Sequence, residues 1–149
     1  MKGEGYKTAA NDERTYFTFT SIGTKGTIPK VVEYMRFDHK IWNLAFGDAN
    51  ELDFDDAVVS DNRDARKVIQ TIVNTVYAFF EKHPGQEIYI EPVDDRRKKL
   101  YNFIFSHRRE EIITNFHVEG MLEGKRELYS SENFCDAFFV SQKERTFED

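Results

Sequence analysis

The sequence holds a single cysteine, Cys135, so no intrachain disulfide can form and packing alone must hold the fold, as suits a reducing compartment. No apolar run approaches the roughly 20 residues needed to cross a bilayer. Residues 1–14 are polar and lack the apolar stretch of a secretion signal, so a cytoplasmic protein away from membranes is expected. Basic excess is missing as well. A formal charge of −6 repels phosphate backbones at long range, and nucleic acid is not expected as a partner.

Several catalytic signatures are also missing. The four histidines, His39, His83, His107 and His117, show no zinc-type spacing, and Asp48, Asp53, Asp55 and Asp56 do not follow the calcium-loop pattern, so no metal is expected. No G-x-S-x-G elbow occurs, and neither a P-loop nor a dinucleotide fingerprint is present. Cys135 lies between Phe134 and Asp136 without a nearby basic activator, which suits a packed small side chain better than a nucleophile. No internal repeat or low-complexity tract appears.

What the chain does have is rings: 14 Phe, 7 Tyr and 1 Trp among 149 residues that are 40% hydrophobic, enough for one shared core. A flexible segment 1–14, a single domain over 15–142 and a tail 143–149 are expected. Tyr16 to Ile22 and Thr27 to Asp38 alternate around a glycine-containing loop and predict a hairpin. Pro29 predicts either a strand starting after it or a sheet edge. Ile41 to Phe46 predicts a third strand, and Ala57 to Val59 offers a short fourth. Asp61 or Asn62 can cap a helix whose apolar stripe runs through Ala65, Val68, Ile69, Ile72, Val76, Phe79 and Phe80, with Gln70 and Asn74 opposite, until His83-Pro84-Gly85 ends it. A strand over 87–93, a second helix capped by Asp94-Asp95 and running to about His107, a strand over 112–118, a polar excursion over 120–133 and a last strand over 137–142 complete the chain. On the second helix Leu100, Phe103, Ile104 and His107 share a face, and Arg97, Tyr101, Phe105 and Arg108 fall on a neighbouring one. The fold class is therefore α+β: a mostly antiparallel twisted sheet of five to seven strands with two main helices, in the order β-β-β-(β)-α-β-α-β-β.

Charge is placed unevenly. Seven acids lie between Asp48 and Asp64, whereas Arg96, Arg97, Lys98 and Lys99 form a basic run. At a helix start such cations can hold a phosphate or carboxylate, as can Asn62, Arg63 and Arg66 at the first helix, so these residues with Arg96, Arg97 and Lys98 are the candidate anion-binding set. Solvated helix ends explain the same residues without a ligand.

Two resemblances follow. The strings Gly26-Thr27-Ile28-Pro29-Lys30-Val31-Val32, Asn43-Leu44-Ala45-Phe46-Gly47-Asp48 and Lys67-Val68-Ile69-Gln70-Thr71-Ile72-Val73, with Asp55, Asp56, Asn62, Asp64, Arg97 and Leu100-Tyr101, resemble a small bacterial family of unknown function. The element order after the first hairpin resembles the GCN5-related N-acetyltransferase fold, in which antiparallel strands lead into a helix, a strand, a second helix and closing strands. That resemblance implies a role for Tyr101 as general acid toward the leaving thiolate of coenzyme A. Asp61-Asn62-Arg63-Asp64-Ala65-Arg66 departs from it, since those enzymes wrap the pyrophosphate with a glycine-rich turn and this stretch has none. No cofactor is therefore expected. The leading expectation is a non-enzymatic module that binds a protein partner or a second copy of itself, of the kind used in defence or in antitoxin or immunity-type neutralisation. The alternative is an acyl-CoA-dependent N-acyltransferase-like or nucleotide-handling enzyme.

Overall fold

Backbone hydrogen bonds in a computed structural model, which describes residues 4–49 and 63–143, define eight strands and three helices among those residues. In chain order these are β1 (Ala9–Ala10), β2 (Tyr16–Gly23), β3 (Gly26–Arg36), β4 (Ile41–Asp48), α1 (Ala65–Lys82), β5 (Glu87–Ile90), α2 (Asp95–His107), α3 (Arg109–Asn115), β6 (Phe116–Leu122), β7 (Lys125–Leu128) and β8 (Ala137–Gln142). The fold is α+β, and its mixed sheet has the strand order β1-β2-β3-β4-β5-β8-β6-β7. No described helix is long and apolar enough to cross a membrane.

Contacts divide the chain into two compact units. One takes the chain up to Met35 and again Leu44–Pro84, and contains α1; the other takes Arg36–Asn43 and the chain from Gly85 onward, and contains α2 and α3.

In the α1 unit, β2 and β3 pair in antiparallel register from Tyr16↔Glu33 to Gly23↔Gly26, and Gly26 closes the turn at φ +88°, a conformation that suits a residue without Cβ. Pro29 lies inside β3, opposite Thr20, rather than before the strand or at an edge. Its carbonyl accepts from Ala49 N–H at 2.8 Å, just past the end of β4, so the missing donor falls where that ladder has already stopped. Within 1–14, Ala9–Ala10 pair with Thr18 and Phe17. Tyr34 joins the strands to α1: its ring stacks on Phe79 at 4.4 Å and its hydroxyl shares a hydrogen bond with Thr75 Oγ1 at 2.8 Å. Val68, Ile72, Val76, Phe79 and Phe80 are buried as the stripe requires, but Gln70, expected on the polar side, is buried too and donates to Asn74 Oδ1. The possible strand at 57–59 and the caps Asp61 and Asn62 lie outside the described residues. Asp64 occupies the N-cap position without capping.

In the α2 unit, β4 and β5 run parallel over only Ile41–Asn43 and Glu87–Tyr89. β8 pairs antiparallel with both β5 and β6, and its Phe138 stacks on Phe105 of α2 at 4.0 Å. Asp94 caps α2 as expected, accepting from Arg97 N–H at 2.9 Å. Three expectations need correction. The strand over 87–93 stops at Ile90. Residues 112–115, expected as strand, belong to α3, whose Arg108 N-cap binds Glu111, and β6 begins only at Phe116. The excursion over 120–133 contains the end of β6 and all of β7, joined at Glu123-Gly124, both at positive φ. Of the two neighbouring faces of α2, the one bearing Arg97 and Phe105 is buried, with Asn102 beside it, whereas Phe103 and His107 face water.

Candidate functional site

In the α1 unit a cleft of about 740 Å³ opens at the start of α1, lined by Tyr6, Ile22, Arg63, Asp64, Arg66 and Lys67 among others. Two members of the expected anion-binding set, Arg63 and Arg66, therefore stand in one cleft; Asn62 lies outside the described residues. Asp64 turns its carboxylate to the Ser21 hydroxyl and to the Tyr6 hydroxyl. Burial, then the hydrogen bond to Asp64, raises the Tyr6 phenol above its ordinary pKa. Lys67 holds its ammonium 4.3 Å from the Tyr6 ring centre. Beneath the same helix, Lys30 is only 1% exposed and pairs with Asp48 at the end of β4. Sequence reasoning used Lys30 only as a mark of family resemblance, met Asp48 and Asp64 as members of an acidic stretch without pairing either to a partner, and found no signal in Tyr6.

In the α2 unit the basic run is divided by helix geometry. Arg97 points inward, 5% exposed, and is held by the Asp94 carboxylate. Lys98 donates to Asp136 Oδ1 at 2.6 Å and lies 5.1 Å from the Phe134 ring centre. Each cation lowers its carboxylate partner, after a backbone hydrogen bond from Arg97 in the case of Asp94 and through the Lys98 hydrogen bond in the case of Asp136. Arg96 and Lys99 point outward, and Tyr101 is half-buried on α2. Asn102 accepts from Cys135 N–H at 2.7 Å and donates to Cys135 C=O at 2.9 Å, imitating a strand partner. Burial pushes the Cys135 thiol up, as expected of a packed side chain.

On the sheet, Arg126 of β7 stacks over Phe139 at 3.7 Å and binds Glu87 and Glu119, and His117 Nε2 lies 2.8 Å from Glu119. This network was not legible in the sequence, because it unites four strands. Among the described residues no group of metal-ligating side chains is assembled.

Large apolar side chains also stand in water: Phe37 and Leu128 are each 71% exposed, Val93 76%, Phe103 60% and Phe134 50%. On α2 the outward residues Arg96, Lys99, Phe103 and His107 share one face by helical spacing, and the Phe103 and His107 rings stack at 5.2 Å.

No curated protein and no solved structure matches this chain. The family of unknown function DUF6934 matches residues 2–143, nearly the whole sequence, and the chain belongs to it.

Proposed function

We propose that this chain is a protein-interaction module whose binding surface is the outward face of α2. The observation that supports it most is the contrast within the α2 unit. Arg97 and Lys98, both members of the expected anion-binding set, are engaged by Asp94 and Asp136, whereas Phe103 is displayed to water on one helix face with Arg96 and Lys99. Exposed apolar surface rimmed by polar groups is the usual mark of a docking site, and aromatic residues with arginine dominate interface energetics. Affinity capture with the wild-type chain and with Phe103→Asp tests it. A protein retained near equimolar ratio by the first and lost by the second is expected; identical retention by both would sink the reading.

A second reading is an acyl-CoA-dependent N-acyltransferase-like enzyme. It is favoured by the element order, in which β2, β3 and β4 lead into α1, β5, α2 and closing strands, and by the cations lining the cleft at the start of α1. In that reading Arg63 and Arg66 contact the pyrophosphate of the coenzyme. The Asp64 carboxylate beside the same cleft works against it. Thermal unfolding with acetyl-CoA decides: at 100 times Kd a bound ligand adds about 2.7 kcal/mol, and the binding-module reading expects no shift with acetyl-CoA or common nucleotides.

A further inference from the structure

Residues 4–10 lie along the α1 unit in the manner of a bound peptide. The contacts that fix them are few and specific. A Cβ added at Gly5 would stand 2.7 Å from Thr71 Oγ1 and 3.0 Å from Thr71 N and Cα, so helix backbone leaves no room for a side chain. The next amide, Tyr6 N–H, donates to Thr71 Oγ1 at 2.7 Å. The Tyr6 ring stacks on Phe19 at 5.7 Å and meets Lys67 on the cation–π contact already described. Its hydroxyl accepts from Ile22 N–H at 3.0 Å, lies 3.1 Å from Ile22 C=O and donates to Asp64. Three residues on, Ala9–Ala10 extend the sheet along β2, while Lys7, Thr8, Ala9 and Ala10 are exposed.

Each contact reads something different. Thr71 selects glycine by space, Phe19 and Lys67 select a flat ring, and the Ile22 amide with Asp64 selects a hydroxyl on that ring. An edge strand leaves N–H and C=O groups to be satisfied, and here a phenol does at Ile22 what a neighbouring strand does at Thr18. Ring, hydroxyl, glycine and short strand addition together are a peptide-recognition mode, filled by the chain's own N-terminal segment.

We propose that the groove between β2 and α1 is a binding site for an extended Gly-Tyr segment of another protein, and that residues 4–10 are its built-in competitor. Tethering gives the internal segment an effective concentration near the millimolar range, so a partner binds only when its segment is better or the internal one is withdrawn. This site stands apart from the outward face of α2 and does not depend on that surface being functional.

The test uses the full chain carrying Tyr6→Ala, which vacates the ring site, and a fluorescein-labelled synthetic peptide spanning Glu4–Asn11, followed by anisotropy. The peptide should bind the Tyr6→Ala chain at least tenfold more tightly than the wild-type chain. A peptide carrying Gly5→Ala should lose at least tenfold in affinity, and one carrying Tyr6→Phe a smaller factor. If circular dichroism shows Tyr6→Ala unfolded, the Gly5→Ala chain, which loosens the segment but keeps its ring, takes its place with the same expectations. Absence of peptide binding to a folded variant, or equal binding of wild-type and Gly5→Ala peptides, overturns the proposal. Dimers of the wild-type chain formed by exchange of residues 4–10 would overturn it too, since the groove's occupant would then be a second copy.

Discussion

Replacing Asp48 by leucine removes the carboxylate that faces the most deeply buried charged side chain described. Lys30 sits on β3 opposite Phe19, is 1% exposed and shares its face with Val32 under α1, whereas the Asp48 side chain keeps 16% exposure. Breaking a buried pair from one side typically costs about 3–5 kcal/mol, because the remaining charge stays out of water and loses the carboxylate that faced it. At about 2–4 °C per kcal/mol for a chain of this size, Asp48→Leu should lower Tm by roughly 6–20 °C. Lys30→Met should cost less, since Asp48 can recover water. The double variant Lys30→Met with Asp48→Leu should return to within about 1 kcal/mol of wild type, because well-packed apolar replacements of such pairs are often neutral or better. Urea unfolding of all four proteins gives the coupling directly, provided the slopes agree. A cost below about 1 kcal/mol for Asp48→Leu, or costs that simply add in the double variant, would refute this reasoning.

Other expectations concern the α2 unit. Gly120→Ala places a Cβ 2.4 Å from Cys135 Sγ and should cost about 1–3 kcal/mol through overpacking, with most of it recovered when Cys135→Ala is added; thermal unfolding reads both. Asn102→Leu leaves the Cys135 amide and carbonyl unmet, at about 1–3 kcal/mol for each buried group, and Asn102→Asp should fall between, since it keeps the acceptor and loses the donor. The hydrogen bond from His117, then that from Arg126, holds the Glu119 carboxyl below its ordinary value. A carboxyl lowered in the folded state stabilises above its unfolded pKa, about 4.3, and that contribution is lost as pH falls through the folded value. Arg126→Gln should therefore raise the Glu119 pKa in an NMR titration and flatten the fall in stability below about pH 4.3; an unmoved Glu119 titration would contradict the network.

Local chemistry made much of this fold legible. The glycine-bearing hairpin, the α1 stripe from Val68 to Phe80 and the Asp94 cap each rest on neighbours within a few residues, and the structure has all three. Readings that depended on distant neighbours fared differently. Lys30 and Gln70 look like surface residues until Asp48 and the α1 packing are known. Ile112 and Ile113 read as strand because β-branched residues carry that preference, yet the Arg108–Glu111 pair opens a helix there. The short strands β1 and β7 are exposed on every residue, so no hydrophobic alternation announced them. For the candidate sites, the basic run on α2 was visible but its division was not: only the helix phase and the positions of Asp94 and Asp136 decide which cations turn inward.

A photo-activatable phenylalanine analogue at position 103, compared in cells with the same analogue at the exposed position 99 and at the buried position 105, tests the interaction module most directly. Irradiation should yield one discrete adduct of this chain with a second protein, strong from position 103, weaker from 99 and absent from 105. A chain that stays free of adducts at position 103, while acetyl-CoA raises its Tm, would contradict that function and leave the acyltransferase reading in its place.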